Sequence, residues 1–427
     1  MRKIKFRFYC VIIFAVVFSF TLFSQGVFAE IFTVTNTNDL GPGSFRRMVN
    51  LATAAGGHNR IHFDLPSGSE IVLRSGTIRI SHPGNRISID GPGKENLSIT
   101  AETDCEPVEK PPSSVEFRSN EQCMNGLPLL EILPDTRVDI NNLTLKGAKN
   151  SSSGGAIVNR GSLNASNVVF INNQAKEGGS HIYNLGRLSC MTCLFKDGYS
   201  NEMSNDDGKG GAVLDSGYSS NFCRCVFMDN KAVIGGAVYS ASNTSFTNCA
   251  FYKNIGAKYG GALFINYDGG KAECLHCTFC NNLSSTAGYD VYIKRGTLVS
   301  RNSIFWGKDT VNNSQKLRVR RESTGGWTRG SCLIQGLHVS MPNISGDPKF
   351  VDPTQGDLRL RHDSPCINMG NNSFSSNIAS DLYGNVRKVG PRVDIGAIEH
   401  LDKASTGVIP LTKSIKKIDR KILLPQN

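Results

Sequence analysis

Proline and tryptophan are scarce in this 427-residue chain, at 16 and 2 residues. Charged heptads are absent and glycine lacks a period of three, which excludes coiled-coil and collagen-like fibres. The repeated middle of the chain contains no ten-residue stretch with helical apolar spacing, so helical bundles and helical repeat arrays fall away. The 8 histidines lie in no HExxH or triad setting, which removes the support for a hydrolase of those types. Beyond residues 1–29 no apolar run is long enough to span a bilayer as a helix, so the mature chain is expected not to span a membrane.

Glycine, by contrast, is abundant: 44 residues, about a tenth of the chain against a usual share of roughly 7%. Hydrophobic residues make up 39% and charged residues 19%, enough to build a core. Many glycines and asparagines between short apolar runs imply many turns between many short strands.

The net charge of +11 is unevenly held. Arg2, Lys3, Lys5 and Arg7 precede an uncharged apolar stretch from Phe8 to Phe23, and Val27-Phe28-Ala29 offers a small-residue cleavage site. This reads as a cleaved export signal, residues 1–29. Its loss leaves 43 basic and 36 acidic side chains, and the tail 401–427 supplies +4 of the remaining +7. The folded body is close to balanced, which argues against nucleic acid as a partner. Export to an oxidising compartment permits disulfides among the 12 cysteines left after Cys10, and Cys105 with Cys123 brackets a polar loop as a candidate pair.

A glycine pair followed by a small and then an apolar residue organises the middle of the chain. It starts at Gly154, Gly178, Gly210, Gly235 and Gly260, at intervals of 24, 32, 25 and 25 residues. A phenylalanine follows each time: Phe170, Phe195, Phe227, Phe251 and Phe279, with Phe305 in the same slot further on. Four of them carry Asn three residues later, namely Asn173, Asn230, Asn254 and Asn282. A period near 25 residues is too short for a propeller blade and fits one coil of a parallel β-helix, with three short strands joined by three bends. The phenylalanines are expected to stack inside the cylinder, the glycines to occupy bends of positive φ, and the asparagines to take left-handed bends while bonding between coils. Cys193, Cys225, Cys249 and Cys277 each precede the phenylalanine by two residues and should face inward beside it as a column of thiols. Cys190-x-x-Cys193 and Cys274-x-x-Cys277 have zinc-like spacing, but residues three apart in a strand point oppositely, so no metal is expected.

The GGA(I/L/V) and FxxN motifs from Asn142 to Phe305 resemble the repeats of the chlamydial polymorphic outer membrane proteins. Thr33–Asp39 followed by Gly41-Pro42-Gly43-Ser44-Phe45-Arg46-Arg47 resembles the N-terminal cap of secreted bacterial β-helix proteins, with a helix over Ser44–Ala55. Ile344–Asp352, Gly356–Leu360, Ser364–Asn368, Asp381–Asn385 and Val393–Glu399 are similar to the choice-of-anchor Q domain, a module that caps such solenoids on bacterial surface proteins. The resemblance implies an all-β chain, a single-stranded right-handed parallel β-helix of the pectin-lyase-like kind with a helix-containing N-terminal cap. The expected divisions are a signal peptide (1–29), the cap and first coils (30–100), an inserted loop (101–126), the β-helix repeats (127–306), the C-terminal coils and cap (307–400) and a basic tail (401–427). The polymorphic membrane proteins end in an autotransporter barrel, and this sequence ends in the basic tail instead, so attachment to a surface would use another partner.

The same fold hosts adhesins and polysaccharide-cleaving enzymes, so fold cannot decide between them. A lyase needs an outward carboxylate cluster, often holding Ca²⁺, beneath a basic residue. Asp206, Asp207 and Lys209, in the one long interval, with Asp215 and Arg224 in the next coil, are the catalytic candidates. Asp347, Asp352, Asp381 and Asp394 suggest calcium but sit among turn-forming residues. The repeat inventory is otherwise structural. The expectation is an exported bacterial surface or secreted protein, non-catalytic and without cofactor, that meets a host surface or a glycan and the outer-membrane or export machinery. The alternative is a lyase or hydrolase acting on acidic glycans, with Ca²⁺.

Overall fold

The computed structural model describes residues 30–102, 126–200, 208–307, 317–337 and 339–401. The export signal, Cys105, Cys123, Asp206, Asp207 and all but the first residue of the basic tail lie outside the described residues.

The chain is a right-handed parallel β-helix. Alternation of apolar and polar residues over three to five positions sets the strands, and single left-handed residues break them. One coil shows the pattern: strands Ile157–Asn159, Ser162–Ser166, Val169–Ile171 and Gln174–Ala175. The same strands recur on the next rung, with Phe170 opposite Phe195 and Leu163 opposite Leu188. There are thus four strands per coil rather than three, because the first face is bent at Arg160-Gly161 and contributes two strands to one sheet. The other two faces are a ten-stranded sheet that carries the phenylalanines and a six-stranded sheet of short strands.

The left-handed residues are not the FxxN asparagines. They are the residues two after the phenylalanine, Asn172, Asp197, Asp229, Lys253 and Asn281, and three before it, Asn167, Thr192, Arg224, Asn248, His276 and Asn302. Each reverses the direction in which side chains alternate. Cys190 and Cys193 therefore both face inward, as do Cys274 and Cys277, although they are three apart. All ten described cysteines are free thiols, and burial pushes Cys225, Cys249 and Cys277 well above the ordinary thiol range. Among the described residues, no three His, Cys, Asp or Glu side chains converge to hold a metal.

The glycine motif also shifts in one coil. Strand register aligns Gly179, not Gly178, with Gly154 and Gly210, and these three share positive φ of 59°, 79° and 64°. Ser180 and His181 then occupy the places of the second glycine and the alanine. The second glycine is required where backbones converge: a Cβ on Gly211 would strike the Gly236 carbonyl of the next coil.

Helix α1 (Phe45–Ala54) packs on the first rung, buries Phe45, Val49 and Ala52, and is capped by Ser44, whose Oγ accepts from the Arg47 amide at 3.2 Å. Its C-terminal carbonyls are taken by Asn59 Nδ2, 2.7 Å from the Ala52 oxygen.

Only the first part of the C-terminal segment lies against the far end of the solenoid. Leu337 and Val339 pack against the end of the core, but from Ile344 onward the chain turns back along the outside of the ten-stranded sheet. Strand residues flanking each phenylalanine point outward there, and Val169, Leu194, Val226, Met228, Ala250, Tyr252 and Ile304 meet Phe350, Leu358, Leu360, Leu382, Ile395 and Ile398. This second core is held at its rim by Asn248 Nδ2 to the Ser380 oxygen (2.8 Å), the Ala397 amide to Thr278 Oγ1 (2.9 Å) and the Gly396 amide to the Asn302 oxygen (2.8 Å). One flank of the solenoid is therefore covered. Among the described residues, no helix is long and apolar enough to cross a membrane.

Candidate functional site

With the phenylalanine sheet covered, the exposed broad surface is the outer face of the five-residue strands. Register places three outward residues per rung in columns along the axis. On the N-terminal rungs these are charged and paired: Arg60 with Asp90 at 2.5 Å, and Arg86 with Asp139. Asn141 donates to Asp90 at 2.7 Å and Asn164 to Asp139 at 2.8 Å. The hydrogen bond and charge of Asp139 raise the pKa of Arg86 further above its ordinary range.

From Ser162 to Thr247 the face changes character. Its outward positions are Ser162, Asn164, Ser166, Arg187, Ser189, Met191, Ser219, Asn221, Cys223, Asn243, Ser245 and Thr247. They include no carboxylate. The result is a flat face rich in serine and asparagine.

Of the sequence candidates, the described ones, Lys209, Asp215 and Arg224, are not brought together. Asp215 does not face outward; it is fully buried at the end of its strand. Its carboxylate accepts from Asn184 Nδ2 (2.8 Å), Ser242 Oγ (2.5 Å) and Thr244 Oγ1 (2.8 Å), which is a structural set of donors. Lys209 lies on the opposite side of the glycine bend, bridging Gly178 and Ile234 through its backbone. Arg224 occupies a left-handed turn (φ 56°) and directs its Nε toward the Leu382 oxygen of the C-terminal segment, 3.5 Å away. In that segment Asp347, Asp352, Asp381 and Asp394 accept backbone amides, for example Asp381 from Tyr383 (2.9 Å) and Asn385 (2.8 Å).

Sequence reasoning missed the paired carboxylates Asp90 and Asp139, because they lie before the first glycine pair. Aligning Arg86–Asp90 with Arg137–Asn141 by their inward Ile and Val residues would have found them. It expected asparagines bonding between coils but missed that His181 and Asp290 extend them into one polar chain inside the cylinder. Asn173 Nδ2 donates to His181 Nδ1 (2.9 Å), so His181 Nε2–H faces Asn230 Oδ1 (3.3 Å). Asn230 donates to Asn254 (2.9 Å), Asn254 to Asn282 (3.0 Å) and Asn282 to Asp290 (2.9 Å). Asp290 ends the chain 3.9 Å from the guanidinium of Arg318, and both are fully buried. Burial pushes the Asp290 carboxyl up to about 7, against the opposing pull of Arg318 and Asn282. The links between side chains all run the same way, toward Asp290, while each amide also donates back to a carbonyl of the preceding coil, as Asn230 to Phe195 and Asn254 to Phe227 (both 3.0 Å).

Burial holds His181 neutral, its pKa pulled down to about 3 despite its bond to Asn230. Unfolding below about pH 6.5 lets this imidazole take up a proton, so its contribution to stability is full above that pH and is lost toward pH 3. We expect wild type to lose about 3 kcal/mol from this group alone between pH 6.5 and 4. His181→Ala lacks that loss, and melting of both proteins across this range should show their difference shrinking with acid. A constant difference would refute the neutral buried imidazole.

No family model matches the chain, and no curated protein matches it. Among solved structures it is similar to pectate lyase Pel9A, with a TM-score of 0.48 and 14% identity over 87% of this chain and 96% of that one. It is also similar to the tailspike protein gp49 of the Acinetobacter baumannii bacteriophage Fri1, a capsular polysaccharide depolymerase, with a TM-score of 0.29 and 13% identity. That match covers 75% of this chain and 61% of the tailspike. Likenesses this distant carry no functional argument. The class rests on the parallel rung-to-rung register itself.

Proposed function

We propose that the chain is an exported bacterial surface protein that presents its long polar flank as a non-catalytic binding surface. The observation that carries this reading is the flat Ser162–Thr247 face, which holds a single cation, Arg187, and no carboxylate. The export-type N-terminus and the resemblance to surface β-helix proteins supply the location. A glycan or a host-cell surface is the partner such a face suits. Enzymatic cleavage of acidic glycans is the second reading, favoured by Asp90 and Asp139 on the same flank; there, however, each carboxylate is already committed to an arginine. Incubation with uronate polymers, followed by ultraviolet detection of unsaturated products and of new reducing ends, separates the two. Absence of products is expected. Cleavage that disappears in Asp139→Asn or Asp207→Ala would replace this reading with the enzymatic one.

A further inference from the structure

One edge of the polar face departs from the regular coil. The bend joining the two strands of the bent sheet holds two residues in three coils, Arg160-Gly161, Leu185-Gly186 and Ala241-Ser242, and more in the others, as in Leu133–Thr136 and Glu322–Thr324. In the coil of Asp215 it holds three, and the additional residue is Tyr218. Two rungs on, it grows to Asn266–Gly270 and contains Tyr267. Of the longer bends, these two each carry a tyrosine at the same corner. Among the described residues these are the tyrosines in the exposed class, at 73% and 39%.

Scattered exposed rings need no explanation, but two at one corner, two rungs apart, are a pattern. Each ring is also backed. The Arg187 guanidinium lies 5.8 Å from the Tyr218 centroid, and the Tyr267 ring lies over Gly270, where a Cβ would collide with it. The rungs place them about 9–10 Å apart along the axis. Arg187, Ser219, Asn243 and Lys271 form the adjoining column, and Asn243 stands exposed on the rung between the two rings.

We propose that this edge binds a linear glycan laid along the solenoid axis, with pyranose faces on Tyr218 and Tyr267 and hydroxyl groups on Arg187 and Asn243. A pyranose presents apolar C–H groups on one face and hydroxyls at its rim, which matches rings bordered by polar side chains. The inference rests on the binding-surface reading and names its ligand class.

The test uses the full mature chain and immobilised hexasaccharides of β-1,4-glucan, β-1,4-xylan and hyaluronan. Wild type should be retained by at least one of them, and Tyr218→Ala/Tyr267→Ala should weaken that retention about tenfold or more, with melting unchanged because both residues are exposed. No retention of wild type by any of the three, or equal retention of the double variant, overturns the site. Mass spectrometry of the recovered probe reports separately on the parent reading. Shortened probe with tyrosine-dependent retention keeps the glycan site and removes the claim of no catalysis.

Discussion

Phe227→Ala should cost about 3–5 kcal/mol, the upper range for a buried aromatic. The ring is inaccessible to solvent and stacks 4.7 Å from Phe195 and 4.8 Å from Phe251, at interplanar angles of 5° and 4°. It also receives the edges of Phe222 and Phe246, at 5.4 and 6.0 Å. No neighbour can collapse into the void, because each is fixed by its own rung at the strand spacing. The loss should therefore include a full cavity cost. Removing Phe305 should cost less, since that ring has one stacked neighbour, Phe279, and meets Trp327 only edge-on. Chemical denaturation of the two variants tests both points. Equal small losses would mean that the column contributes nothing beyond burial.

Arg387→Met should be comparably damaging, about 3–5 kcal/mol, but confined to the C-terminal segment. The guanidinium lies 2.7 Å from Glu399 and also bonds Asn248 Oδ1 (3.3 Å) and the Gly396 oxygen (3.1 Å), with both charged side chains 1% exposed. It is a clasp between the segment and the solenoid. Without it, Glu399 keeps only the amides of Asp394 (3.2 Å) and Val389 (3.5 Å). Burial already pushes the Glu399 carboxyl up to about 7, although Arg387 opposes this. A raised folded pKa means that the group favours folding below its ordinary range, an advantage lost as pH rises through about 7. The damage in Arg387→Met should accordingly be greater at pH 8 than at pH 5, where Glu399 becomes neutral. Arg387→Met/Glu399→Leu should recover most of it. Hydrogen exchange of residues 380–400 is the readout; unchanged protection in the single variant would show that the apolar contacts alone hold the segment down.

Much of the fold was legible because a solenoid repeats its constraints. The phenylalanine slot and the glycine of positive φ recur every 25 residues or so, and each needs its counterpart on the next rung. Asp215 was legible in principle: Ile157-Val158-Asn159, Ile182-Tyr183-Asn184 and Val213-Leu214-Asp215 occupy one register and stack Asn, Asn and Asp. Read alone, it looked like a surface carboxylate. The orientation of Cys190 was not legible from strand alternation, because Thr192, an unlikely residue for φ 56°, takes the left-handed turn that resets the alternation.

The sequence by itself determined the coil: its length, its inward rings and thiols, and the asparagines that bond along the axis, all of which follow from local spacing. Only the tertiary structure decided which flank is free. The C-terminal segment meets strands more than a hundred residues earlier, as in Asn248 to Ser380. The outward Val, Leu and Met residues that it covers show the same alternation whether they face water or a second layer. Contacts between distant segments leave no period in the chain, and they fix where a ligand can reach this protein.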